Sequence, residues 1–255
     1  MDNELQQWVS IITSFQLDNP SDFEYDAFSE KEFMKLCDYI RANGSPAQSN
    51  FHFSTGVSKG VIIPANKDYV IKIPFSCDLD KDYSTFYTTG GVRTWQTSYN
   101  YDSRQFENAY NPITGYCGHN YCAVEAAVYE MAVWESIDYM FAPTTLITDS
   151  ISIPIYKQMK VLPLDEDCGA STDADFNSAT NAEIQIVDEI SSYDSAGWMP
   201  QFFIYWLYKT YGVENTMQLF CFLDDNDIND FHEGNIARDL TNGLPILMDY
   251  SGFHN

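Results

Sequence analysis

The hydrophobic period of the chain changes at Asn43-Gly44-Ser45-Pro46, and this change sets the fold class. Before it, Leu5, Trp8, Val9, Ile11 and Ile12, then Phe33, Met34, Leu36, Cys37 and Ile40, recur at helical spacing. The second run follows Ser29 with Glu32 three residues on, the signature of a capping box. After the change, Phe51 and Phe53 alternate with polar residues, and Val61-Ile62-Ile63 and Tyr69–Pro74 are short apolar runs bounded by turns. These predict two or three antiparallel strands. Residues 122–139 hold alanines, Glu and Met with no Gly or Pro and predict a long helix. Strands are expected at 144–148 and 151–162, and helices near 182–192, 198–211 and 214–223. A final hairpin of 236–238 and 245–248 turns at Asn242-Gly243, the strongest short hairpin signal. Strands and helices segregate along the chain, so the expected class is α+β.

Composition narrows the function classes. The chain has 255 residues, with 13 Lys+Arg against 37 Asp+Glu, a formal net charge of −24. No direct nucleic-acid partner is expected, because phosphate neutralisation needs a basic face. Docking on anionic membranes is not expected either. The hydrophobic share of 45% and aromatic share of 16% exclude an acidic disordered chain. Met1-Asp-Asn-Glu-Leu-Gln-Gln lacks a basic region and an apolar stretch, and no run of about 18 apolar residues occurs. Six cysteines scattered through such a chain read as free thiols. A cytoplasmic location is expected.

The residues that carry chemistry begin near the C-terminal end. Asp230-Phe-His-Glu-Gly-Asn235 precedes the predicted hairpin, and Asp249 follows it. An Asp and an Asn on one loop, with a second Asp returned beside them, supply a base candidate and two oxygen ligands suited to Mg²⁺. Polar turns use the same residue types, so each half is weak alone.

The two halves together resemble the protein-kinase-like fold. Asp-x-His-x-Gly-Asn is similar to the loop of aminoglycoside and choline kinases and of small bacteriophage Ser/Thr kinases. The resemblance implies Asp230 as catalytic base, Asn235 and Asp249 as metal ligands, and His232 as the loop histidine. It also implies a strand lysine and a helix glutamate upstream. Tyr69-Val70-Ile71-Lys72-Ile73 matches the strand motif, with Val70 and Lys72 on one face by alternation. Glu125 is the implied partner of Lys72, and Glu130 the fallback. Thr55, Gly56, Val57 and Ser58 occupy the place of a phosphate loop but keep only Gly56 and Gly60 of its glycines. The adenine connector would fall at Gln158-Met159-Lys160-Val161, with Met159 and Val70 beside the base.

The resemblance covers roughly residues 50–253 and implies a bilobal fold. Residues 1–45 form a helical segment, 46–160 a β-rich N-lobe with an irregular 76–121 insertion holding one hairpin, and 161–255 a truncated helical C-lobe. The implied activity is ATP- and Mg²⁺-dependent Ser/Thr protein phosphorylation of host proteins and of the kinase itself. Departures are Ile228-Asn229 in place of His-Arg, and a chain ending at Asn255 with no activation segment or helical substrate platform. The acidic trio Asp165–Asp167 suggests basic protein substrates. Two other readings fit the same residues: a small-molecule phosphotransferase, and an acidic pseudokinase or nucleic-acid mimic that captures a basic host factor. Cys117-Gly-His119 with Cys122 offers too few ligands for a zinc site and reads as free thiols beside a helix start. Substrate identity and oligomeric state are not legible.

Overall fold

The computed structural model describes residues 3–20, 28–56, 59–75, 96–100, 105–109, 121–148, 154–164, 175–226, 228 and 231–250. The protein is mixed α and β, as its change of period predicts. It divides into two compact units, residues 1–127 with 144–159, and residues 128–143 with 160–255. No helix among the described residues is long and apolar enough to cross a membrane.

The first unit is built on a five-stranded antiparallel sheet. Its strands are β1 (Phe51–Thr55), β2 (Lys59–Pro64), β3 (Tyr69–Pro74), β6 (Thr144–Thr148) and β7 (Ile155–Met159), in the order β1-β2-β3-β7-β6. Helices α1 (Asn3–Asp18) and α2 (Glu30–Asn43) supply one apolar layer. Leu5, Trp8, Ile12 and Phe15 of α1 and Phe33, Leu36, Cys37 and Ile40 of α2 cluster with Ile62, Tyr69, Ile71 and Ile73 of the sheet. Such side chains contribute about 1.5–3 kcal/mol each when buried, so this layer dominates the unit's stability. The Ser29 signature forms, with its N–H donating to Glu32 Oε2 at 3.1 Å. Glu4 fastens α1 to the sheet: its carboxylate accepts from Lys67 Nζ at 2.7 Å and from the Tyr69 hydroxyl at 2.8 Å.

Gly60 sets how closely α2 approaches β2. A Cβ there would lie 2.4–2.6 Å from ring atoms of Phe33, so only the bare backbone leaves room for that ring. From the 76–121 insertion, the described hairpin pairs β4 (Gln96–Asn100) with β5 (Gln105–Ala109). The rest of the insertion lies outside the described residues, apart from the helix start at Tyr121.

Helix α3 spans Tyr121–Trp134 and is shared between the units, residues 121–127 with the first and 128–134 with the second. It ends earlier than the 122–139 run predicts. Ser136 adopts a left-handed φ of 60°, and the chain continues as a 3₁₀ turn over Asp138–Met140. Ile137, an apolar residue near the end of that run, is buried at the start of this turn instead of continuing the helix.

The second unit joins α4 (Asn181–Ile190), α5 (Gln201–Tyr211) and α6 (Val213–Asp225) to a three-stranded antiparallel sheet. Its order is β10 (Pro245–Leu247), β9 (Ile236–Asp239), β8 (Val161–Pro163). Gly212, at φ 85°, lets α5 turn directly into α6. The single strand expected at 151–162 is two strands in different sheets, broken at Lys160. Periodicity reads one apolar run there because both pieces are partly buried. The Asn242-Gly243 hairpin forms, but residues 240–244 connect its strands and only Gly243 has positive φ, at 73°. The turn is therefore longer than the two-residue type the dipeptide suggests.

Candidate functional site

Strand pairing dictates which side chains share the second face of the first sheet. Val61 stands opposite Lys72, and Val70 opposite Gln158, which in turn opposes Thr144. Directly opposed residues share a face, and residues two apart on a strand do too. Lys59, Val61, Val70, Lys72, Gln158 and Thr144 therefore lie on one face. Tyr69, Ile71 and Ile73 point to the other, into the α1–α2 layer. This is why all six residues of β3 are buried although one of them is a lysine.

Glu125 on α3 reaches this face. Its side chain is fully buried, and its two oxygens are held by different lysines. Lys72 Nζ lies 2.7 Å from Oε2, and Lys59 Nζ 2.5 Å from Oε1. Gln158 Nε2 donates to Glu125 Oε2 at 3.3 Å and to Thr144 Oγ1 at 2.8 Å. Burying three charges is costly, and the close, shared hydrogen bonds are what offset it. The helix register selects Glu125 over Glu130, which is exposed.

Of the other expected residues of this unit, Val70 shares the Lys72 face, whereas Thr55 and Met159 lie on the α1–α2 face of the sheet, away from Glu125. The Thr55 hydroxyl donates to Glu30 Oε1 at 2.8 Å, on the α2 side, and the Gly56 N–H donates to Lys59 O at 2.9 Å. Val57 and Ser58 lie outside the described residues. Val70 is buried beside Gln158. Met159 opposes Tyr69 and so shares the α1–α2 face, whereas Gln158 sits on the Lys72 face. The division between the units falls between Met159 and Lys160, inside the expected connector.

In the second unit, the loop and hairpin bring two further expected residues together. Glu233–Asn235 form a 3₁₀ turn whose preceding His232 accepts the Gly234 N–H at Nδ1, 3.1 Å away. Asn235 is buried, and its carbonyl accepts from the N–H of Met248 at 3.0 Å and of Asp249 at 3.3 Å. The pairing of Leu247 with Ile236 leads into this contact, so the hairpin returns Asp249 to Asn235. A carboxamide and a carboxylate are hard oxygen donors that suit Mg²⁺, which completes its octahedron with waters and phosphates. Among the described residues no group of three or more His, Cys, Asp or Glu gathers to hold a metal unaided. Asp230, Asp165–Asp167, Cys117 and His119 lie outside the described residues; Cys122 is a buried free thiol.

Lys59 and Gln158, which bond Glu125, and Thr144, which bonds Gln158, were not singled out by sequence for this cluster. One signal was present: Lys59 heads the apolar run Gly60-Val61-Ile62-Ile63 in a chain with only 13 basic residues. Its parity with Val61 places it on the Lys72 face once the register is known. No protein-family model and no curated protein matches the chain.

Proposed function

We propose that the protein is an ATP- and Mg²⁺-dependent protein kinase with a kinase-like, bilobal organisation and a reduced helical C-lobe. The observation that carries this reading is the buried Lys72–Glu125 ion pair, strand to helix, at 2.7 Å. A lysine is costly in an apolar strand, and phosphate alignment is a function that needs one there. The adjacency of Asn235 and Asp249 across the hairpin supports it independently.

In this reading Lys72 binds the nucleotide phosphates and Glu125 holds its ammonium in place. Val70 packs against the base. Asn235 and Asp249 hold Mg²⁺, which when bound neutralises charge on the phosphates. Asp230 accepts the proton of a Ser or Thr hydroxyl on the substrate. The excess of acidic residues suits a basic protein substrate.

Incubation with labelled ATP and cell extract tests this. Wild type should label proteins, and Asp230→Ala should not; equal labelling by both would overturn the reading. The net charge of −24 favours one second reading, an acidic interaction protein that captures a basic factor. Pull-down from extract separates the two: capture undiminished in Lys72→Ala, with no labelling by wild type, supports the second.

A further inference from the structure

Lys59 belongs to no role assigned above, yet it is as deeply placed as Lys72. The two side chains are 7% and 5% exposed, and each takes one oxygen of the same carboxylate. We propose that Lys59 is a second phosphate-binding lysine, forming with Lys72 a polyphosphate clamp anchored on Glu125. This rests on the nucleotide-binding reading of the site and goes beyond it in naming a residue and a charge count.

Three observations support the clamp. First, β-sheet parity puts both lysines on one face, through the Val61–Lys72 pair, so they approach an anion from the same side. Second, the two ammoniums flank one carboxylate, which fixes them close enough to contact neighbouring oxygens of one polyphosphate chain. Lys59, Lys72 and Glu125 together carry a formal charge of +1, whereas a single lysine–glutamate pair is neutral. A net positive, water-poor site favours a polyanion more strongly than a neutral one. Third, Lys59 opens β2 immediately after the β1–β2 turn, and its carbonyl accepts the Gly56 N–H. One residue thus ties that turn to Glu125 by its main chain and its side chain. Glu125 keeps one lysine when the other moves to a phosphate.

Titration calorimetry with ATP-Mg²⁺, adenosine and inorganic tripolyphosphate, on wild type, Lys59→Met and Lys72→Met, tests the clamp. Each substitution should weaken ATP and tripolyphosphate binding by about tenfold or more and leave adenosine binding unchanged. Lys59→Arg should restore most of the loss. If Lys59→Met does not fold, Lys59→Gln keeps a donor to Glu125 while removing the charge, and is read the same way. Unchanged ATP affinity, or adenosine affinity falling in step with that of ATP, overturns the clamp. If wild type binds tripolyphosphate through Lys59 but transfers no phosphate, the kinase reading fails and the clamp stands. If wild type binds neither ATP nor tripolyphosphate, the clamp falls as well.

Discussion

Lys72 Nζ and Glu125 Oε2 lie 2.7 Å apart with both side chains almost entirely excluded from solvent, while Lys59 occupies the other oxygen of that carboxylate. The stability of the first unit should therefore depend unequally on the three. Glu125→Ala removes the counter-charge of two buried ammoniums and should cost at least about 3–5 kcal/mol. Lys72→Met leaves Glu125 paired with Lys59 and should cost less, about 1–3 kcal/mol. Urea midpoints of the two variants decide it, and a reversed order would count against a shared carboxylate.

Gly60 is predicted to be intolerant of the smallest substitution. Gly60→Ala drives a methyl into the Phe33 ring and should cost about 1–3 kcal/mol. Calorimetric unfolding should show a lowered midpoint, partly recovered by adding Phe33→Leu, which leaves space where the ring was. An unchanged midpoint in Gly60→Ala would mean that α2 can shift away freely.

Asn235 and Asp249 meet through main-chain hydrogen bonds, so side-chain changes should spare the hairpin. On the proposed kinase reading, Asn235→Ala and Asp249→Ala should lower phosphate transfer by at least about 10–100-fold while retaining secondary structure by circular dichroism. Raising Mg²⁺ should recover part of the activity of Asn235→Ala. Full activity in Asp249→Ala would remove that residue from the metal site.

Glu183, which caps α4, gives a pH prediction with a definite sign. The Lys209 ammonium at 2.7 Å, helped by the Thr180 N–H, holds its carboxyl at about 2. A pKa lowered in the folded state stabilises above the usual carboxylate range, and that contribution is lost as pH falls toward about 2. Glu183→Gln should thus unfold at lower urea than wild type at neutral pH. The gap should close between about pH 4.5 and 2 and narrow in high salt, since the pair is exposed to screening. A gap independent of pH would rule out the ion pair as its origin.

Two described cysteines should differ sharply in reactivity. Burial pushes the Cys37 thiol up to about 12, while Cys221 is exposed beside the Tyr193 hydroxyl at 3.5 Å. Alkylation with iodoacetamide near pH 8, followed by peptide mass mapping, should modify Cys221 first and Cys37 only on unfolding. Early modification of Cys37 would show that the α1–α2 layer opens readily.

Much of the fold was legible because it is governed by local rules. The helices over 3–18 and 30–43 follow from apolar spacing, and the end of the second at Asn43–Pro46 from residues that break the period. The Lys72–Glu125 pair was legible through motif order. Lys59 was not, because its placement depends on which β2 residue faces Lys72, a register set by pairing across strands. Gln158 and Thr144 escaped for the same reason: they meet across β6 and β7, whose contact no single-strand pattern encodes. The break at Lys160 was hidden because two strands of different sheets share one apolar run.

A carboxylate with two ammonium partners also changes what random mutation can do to this chain. Loss of Lys72 leaves Glu125 matched by Lys59, so on the proposed kinase reading a single codon change would silence phosphate transfer while the hydrophobic layer persists. Descendants freed from selection on catalysis would keep a folded, strongly anionic body available for other uses. On that reading, retained shape with lost turnover lies one substitution away from this sequence.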